Sequence, residues 1–254
     1  MATPPPYDPY RGQNQQYGQT PGYQPYGQPA YGAGAISLAS NAMKRVYLKM
    51  TLGLLVTAFI SLFCAGSSDY MRFMVSNSWF YWGLFIAEFV LVLAIGGAIF
   101  KLSSGVGTLL FYVFAAVNGM SLAPIFLIYT GTSIAKTFFI TAGTFGAMSI
   151  YGYFTTKDLT RWGSILFMAL IGLIIASLVN IFLHSDGLSW VISVAGVLIF
   201  VGLTAWDTQT IKRMAEVTPA DQVGRLATLG ALNLYLDFIN LFLYLLRFFG
   251  SSND

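Results

Sequence analysis

Cysteine, histidine and charged residues are all scarce in this 254-residue chain. It contains one cysteine, Cys64, and one histidine, His184. A single cysteine excludes an intramolecular disulfide, and no cysteines and histidines have the spacing of a zinc site. Charged residues make up 9% of the sequence, whereas hydrophobic residues make up 56%. This balance lies outside the composition of ordinary globular proteins and indicates that the folded chain is surrounded by lipid.

Sequence motifs of common enzyme classes are also missing. The chain has no phosphate-binding glycine loop, no His-Glu-x-x-His pair and no nucleophile elbow. Its 13 Lys and Arg residues exceed its 10 Asp and Glu residues by a net charge of +3, and they are spread between apolar runs. Nucleic-acid binding needs a continuous basic patch. We therefore expect no enzymatic activity, no cofactor and no nucleic-acid partner.

Long apolar runs dominate the sequence from residue 43 onward. Each is about 20 residues long, which spans about 30 Å of hydrocarbon at about 1.5 Å per helical residue. The predicted membrane helices lie near residues 46–66, 80–100, 106–129, 134–155, 163–183, 189–211 and 227–249. The sequence therefore predicts an all-α polytopic membrane protein, with a seven-helix transmembrane domain over residues 41–254.

The N-terminal segment has a different composition. Residues 1–36 hold seven of the nine prolines, six tyrosines and six glutamines. Such a segment has too little aliphatic surface to offset the entropy of ordering it. Residues 1–40 are therefore predicted to form a disordered tail rich in Pro, Tyr, Gln and Gly.

Lys and Arg residues are divided unevenly between the two predicted sides of the membrane. One side carries only Arg72, Lys136 and Arg247, and the tail with the second, fourth and sixth loops carries the others. The positive-inside rule then predicts a cytoplasmic N-terminus. With seven spans, the C-terminus lies outside. The short loops and the single cysteine suit a bacterial inner membrane, and an organelle membrane is the alternative.

Three carboxylates, Glu88, Asp207 and Asp237, fall inside apolar spans. A charged carboxylate at the bilayer centre costs about 2.5–3.5 kcal/mol, so each must face protein, water, a cation or a proton. Asp207 and Asp237 belong to consecutive helices joined by a short loop. The midpoint between them, residue 222, falls in the predicted turn. The two carboxylates are therefore predicted to lie at similar depth and to form a pair.

Paired carboxylates repel each other unless they share a proton or a cation. Calcium suits such a site because it takes several oxygen ligands with flexible geometry. Asn233, Asp237, Asn240 and Tyr244 recur on one face of the last helix, which places that face in the bundle interior. Asn233 and Asn240 are the predicted supporting ligands, and Glu88 is a candidate pore carboxylate. The alternative is that the aspartates are neutral carboxyls hydrogen-bonded to a neighbouring helix.

Two ordered strings in the last two helices resemble a known family. Ala205–Gln209 reads AWDTQ, and Ala231–Arg247 reads ALNLYLDFINLFLYLLR. Together they resemble the C-terminal signature of the Bax inhibitor-1 family, also called the transmembrane BAX inhibitor motif family. The string Asn118–Pro124, NGMSLAP, agrees with it. The resemblance covers about residues 43–250.

The resemblance implies a seven-helix bundle whose other helices surround the last one. It also implies a pH-dependent calcium leak, or a proton or cation leak, gated by an aspartate pair that matches Asp207 and Asp237. The family pattern includes an arginine that latches onto the first aspartate in the closed state. Lys101 is the nearest candidate here, although lysine lacks the bidentate fork of arginine.

A second function stays open beside the leak. Bacterial relatives of the family resemble modulators of membrane-protein quality control. This chain could therefore be a membrane interaction protein that modulates a protease or a stress or cell-death response without transport. The expected partners are membrane lipid, calcium or protons, and a membrane protein. Proton-coupled exchange usually requires internal repeats, and the sequence shows none.

Overall fold

The structure is a computed structural model that describes residues 31–251, with side chains described from residue 38. Most of the predicted tail, residues 1–30, lies outside the described residues. The first helix begins at Tyr31, inside the segment predicted as a tail. Every regular element between residues 31 and 251 is a helix, which confirms the all-α prediction.

Nine helices make up the described part of the chain. They are α1 (Tyr31–Ala65), α2 (Ser68–Ser76), α3 (Ser78–Ala98), α4 (Ser104–Leu122), α5 (Ile125–Ile128), α6 (Gly131–Phe154), α7 (Thr160–Leu183), α8 (Asp186–Val217) and α9 (Val223–Phe249). The two shortest, α2 and α5, lie between longer helices.

Six segments of the described chain are long and apolar enough to cross a membrane. They are Leu38–Ala65, Ser78–Ala98, Ser104–Ile128, Thr160–Leu183, Asp186–Val217 and Val223–Phe249. The 24-residue α6 is also long enough, but its Thr, Ser and Gly residues make it less apolar. It coincides with the predicted span 134–155 and packs against α8 and α9. A polytopic membrane protein is confirmed, and the count of seven spans stays a prediction.

Polar residues between the apolar runs start several helices. A side-chain oxygen caps α2, α4, α6 and α8, where it accepts a hydrogen bond from a backbone N–H in the first turn. The capping residues are Ser67, Ser103, Thr130 and Ser185. Such caps satisfy backbone donors that have no partner within the helix. The local sequence therefore determines where these helices begin.

The last helix, α9, lies at the centre of the bundle. Of its apolar window 67% is buried, against 11% in the window of α3 and 6% in that of α7. It packs against α3, α4, α6 and α8. Its buried residues cover most of its circumference, and one stripe that includes Asn233, Asn240 and Tyr244 is half-buried. The central position of the helix that carries Asp237 is therefore confirmed.

Lys49 ties α1 to the core through polar contacts. Its ammonium group donates three hydrogen bonds, to Thr108 Oγ1 at 2.8 Å, to Thr228 Oγ1 at 2.7 Å and to the Gly224 carbonyl at 3.1 Å. The acceptors belong to α4 and α9. Three acceptors match the three N–H donors of an ammonium group. This half-buried lysine therefore connects three helices, and no acidic side chain among the described residues forms an ion pair with it.

The backbones of α1 and α4 approach each other closely at Gly119. A Cβ atom at this position would lie 2.7 Å from the Thr57 carbonyl oxygen and 3.0 Å from Cβ of Ile60. Thr57 Oγ1 also lies 2.8 Å from the Ala115 carbonyl oxygen across the same interface. Small residues permit such close contact between membrane helices. Gly119 is therefore required for the packing of α1 on α4.

We expect Gly119→Ala to lower the free energy of unfolding by about 1–3 kcal/mol, because the added methyl group pushes α1 away from α4. Unfolding in mixed detergent measures the change. Gly143→Ala on α6 is the control, since a Cβ atom there meets nothing within 4 Å. Equal losses of stability in both variants would contradict this interpretation of Gly119.

Candidate functional site

A cavity of about 810 Å³ lies beside α9, with walls from α3, α4, α7, α8 and α9. Polar side chains of α3, α4, α8 and α9 belong to its lining. They are Glu88, Asn118, Ser121, Asp207, Thr210, Asn233, Asp237 and Asn240. Much of the remaining wall is aromatic or aliphatic. The cavity therefore gathers the predicted carboxylates and amides into one space.

Asp207 of α8 and Asp237 of α9 meet in the wall of this cavity. Their carboxyl groups are close enough to interact with each other, and the Asn233 side chain lies beside that of Asp207. Both aspartates are buried, with 8% and 4% of their surface exposed. In the part of the chain that the structure describes, Asp237 Oδ2 has no hydrogen-bond partner. Two carboxyl groups in contact are stable only if a proton or a cation reduces their repulsion.

The two asparagines of the predicted stripe have different surroundings. Asn233 lies beside Asp207, whereas Asn240 lines the cavity and donates from Nδ2 to the Leu236 carbonyl at 2.8 Å. No three acidic, histidine or cysteine side chains among residues 38–251 converge in the manner of a metal cluster. A cation at this site would thus be held by two carboxylates, amide oxygens and water. Such a ligand set suits calcium more than zinc.

Glu88 lines the same cavity and ends a chain of hydrogen bonds. Asn118 Nδ2 donates to Glu88 Oε2 at 3.1 Å, and the Tyr235 hydroxyl donates to Asn118 Oδ1 at 2.8 Å. The Tyr235 hydroxyl also lies 2.6 Å from Thr57 Oγ1. The Ser121 side chain lies beside the Glu88 carboxyl group. This chain links the cavity on α3 through α4 and α9 to α1.

The described lining of the cavity contains no Lys, Arg or His side chain. The ion pair found between residues 38 and 251 joins Arg213 and Asp158 at 2.7 Å, and both side chains are exposed. Glu88, Asp207 and Asp237 therefore share a cavity without a basic counter-ion. Because isolated charges in an apolar interior are strongly unfavourable, protons or external cations must balance them.

Lys101, the predicted latch, lies apart from the aspartates. It is exposed in the turn between α3 and α4 and is not part of the cavity lining. A lysine at a helix end extends its ammonium group toward the polar boundary of the membrane. The structure thus does not bring Lys101 to Asp207, and the latch stays a prediction.

The partners of Glu88 are absent from the residues that we predicted for the site. Asn118 could have been identified from the sequence, because an amide within an apolar span needs a hydrogen-bond partner just as a carboxylate does. Tyr235 could not have been identified in this way, since a tyrosine flanked by leucines fits any buried helix. Only the packing of α4 on α9 brings these two side chains together.

We expect Tyr235→Phe to lower the free energy of unfolding by about 1–3 kcal/mol, because it leaves Asn118 Oδ1 buried without a donor. Unfolding in mixed detergent is again the measurement. Tyr151→Phe on α6 is the matched control, since that ring is 44% exposed. A loss in Tyr235→Phe no larger than that in the control would show that the chain contributes nothing to stability.

Comparison with known proteins agrees with the family resemblance of the sequence. Residues 39–254 match the family described as inhibitor of apoptosis-promoting Bax1. Over 212 residues the chain is 51% identical to the inner membrane protein YbhL of Escherichia coli K12, an alignment that covers 82% of this chain and 91% of YbhL.

Two further relatives come from distant bacteria. A protein of Borreliella burgdorferi is 47% identical over 221 residues, which cover 86% of this chain and 95% of the relative. A membrane protein of Streptococcus pyogenes is 38% identical over 211 residues, covering 82% and 92%. The matched region contains the whole cavity and both aspartates. The chain therefore belongs to the Bax inhibitor-1 family.

Proposed function

We propose that this protein is a pH-sensitive cation leak pathway of a bacterial inner membrane that conducts calcium and is gated by Asp207 and Asp237. The proximity of two buried carboxyl groups, in a cavity whose described lining has no Lys, Arg or His, supports the proposal. The description of YbhL as an inner membrane protein supports the location. The distribution of Lys and Arg supports a cytoplasmic N-terminus, and an outside C-terminus if α6 is the seventh span.

The ligand set favours weak binding of calcium. Calcium takes six to eight oxygen ligands, and a high-affinity site supplies most of them from several carboxylates and carbonyls. Here Asp207 and Asp237 provide the charge, Asn233 and Asn240 provide amide oxygens, and water completes the shell. An ion must leave such a site as readily as it enters, because conduction requires weak binding. Two carboxylates with neutral neighbours satisfy this requirement better than a complete cage.

Protons compete with the cation for the same oxygen atoms. On acidification a proton binds between Asp207 and Asp237, which removes the negative charge that attracts calcium. On alkalinisation the ionised pair needs a cation to reduce its repulsion. The occupant of the pair therefore changes with pH. Because the pair lies between α8 and α9, this exchange alters the force between the two helices.

We expect purified protein in calcium-dye-loaded vesicles to conduct calcium at a rate that changes with pH. Asp207→Asn and Asp237→Asn should each lower the rate about tenfold or more and flatten its pH dependence, since an amide neither titrates nor attracts the cation. Flux measured from pH 5 to pH 8 gives both quantities.

Asp158→Asn is the control for this experiment. Hydrogen bonds from Thr160 and from Arg213 lower the pKa of this exposed aspartate to about 2, so its charge is constant over the range of the assay. The control should keep the wild-type rate and pH profile. Unchanged flux in both Asp207→Asn and Asp237→Asn, with correctly folded protein, would refute the proposed role of the pair.

A further inference from the structure

The cavity has a mouth between α3 and α7 that faces the lipid. α3 packs against α2, α4 and α9, α7 packs against α8, and both α3 and α7 contribute side chains to the cavity lining. These two helices are also the least buried of the apolar spans. Several of their cavity-lining side chains are exposed, namely Tyr81, Phe85, Phe89, Phe167 and Ile174. These side chains line the cavity and are also exposed, so they lie at its opening. In a membrane this opening faces the bilayer.

The exposed and the more buried lining residues differ in chemistry. Glu88, Asp207 and Asp237 are buried or half-buried and have no basic side chain among the described lining residues, whereas the exposed lining residues of α3 and α7 are aromatic or aliphatic. A hydrated inorganic ion gains no binding free energy from contact with aromatic side chains. An organic cation with an apolar body gains about 25 cal/mol for each Å² of apolar surface that it buries, and its charge is attracted to aromatic faces and carboxylates.

The size of the cavity also suits an organic molecule. Its volume of about 810 Å³ lies within the range of small-molecule sites, about 300–1,000 Å³. Such sites are mainly apolar and carry a few polar groups that fix the orientation of the ligand. Glu88 and the aspartate pair are placed to orient a positive charge.

We propose that this cavity binds amphipathic organic cations that enter from the bilayer between α3 and α7. The cationic centre lies near Glu88 and the aspartate pair, and the apolar body packs against Phe85, Phe89 and Phe167. The proposal depends on the shape and charge of the cavity and holds whether or not the cavity conducts calcium.

Binding of tetraphenylphosphonium tests the proposal. The full chain is placed in phosphatidylcholine nanodiscs, and binding of the radiolabelled cation is measured after subtraction of empty nanodiscs. Tetraphenylborate, which has the same shape and the opposite charge, is measured in separate samples. We expect saturable binding of the cation and none of the anion. Equal binding of the two ions would mean that the cavity accepts apolar molecules regardless of charge, and would overturn the proposal.

Three variants test the two kinds of lining residue. Glu88→Gln keeps the shape of the side chain and removes its charge, and it should weaken tetraphenylphosphonium binding about tenfold. Phe167→Ala at the mouth should weaken it several-fold. Phe139→Ala is the control, because Phe139 lies on α6 outside the lining and is 74% exposed. Wild-type affinity in both Glu88→Gln and Phe167→Ala would overturn the proposal.

Calcium flux in the same preparations separates this proposal from the leak function. Saturable, Glu88-dependent binding of tetraphenylphosphonium without calcium flux would support the proposal and refute the leak. Calcium flux that depends on Asp207 and Asp237, without saturable binding of the organic cation, would support the leak and refute the proposal. If both hold, tetraphenylphosphonium should lower calcium flux in the wild type and less so in Phe167→Ala.

Discussion

The contact between Asp207 and Asp237 is the constraint on which the rest of the structure depends. Two acidic side chains in an apolar bundle must be enclosed by protein, and α9 accordingly lies at the centre, packed against α3, α4, α6 and α8. Their charge must also be balanced, and the described cavity lining offers no basic residue for this purpose. One half-buried cation in the bundle, Lys49, donates its hydrogen bonds to neutral oxygens of α4 and α9. The pair therefore depends on protons or on cations that enter from outside.

The helices around α9 form two sides with different properties. On one side α6 and α8 pack closely against it, and on the other α3 and α7 leave a cavity. The hydrogen-bond chain from Glu88 through Asn118 and Tyr235 crosses from the cavity wall to α1. A change of charge in the cavity thus has a physical connection to the outer helices. The tight packing of α6 and α8 holds α9 in position. The polar connections on the other side link a change of charge in the cavity to α1.

Much of the fold could be predicted from the sequence because lipid imposes simple rules on length and charge. Apolar runs gave helices close to the observed bounds, and the midpoint between Asp207 and Asp237 predicted similar depths on adjacent helices, where both now line one cavity. The start of α1 at Tyr31 could not be predicted, because the tail composition extends past it. Glu88 was identifiable from its charge, but its contact with Asn118 and the mouth between α3 and α7 depend on tertiary packing that no local pattern encodes.

The sharing of one site by proton and cation can be observed directly by infrared difference spectroscopy of the purified protein at fixed pH. Calcium is added, and the stretching band of protonated carboxyl groups is recorded together with the protons released. If Asp207 and Asp237 exchange a proton for the cation, the band decreases in the wild type, protons appear in solution, and both signals vanish in Asp237→Asn. Calcium addition that leaves the band unchanged, or that changes it equally in Asp237→Asn, would contradict the shared site.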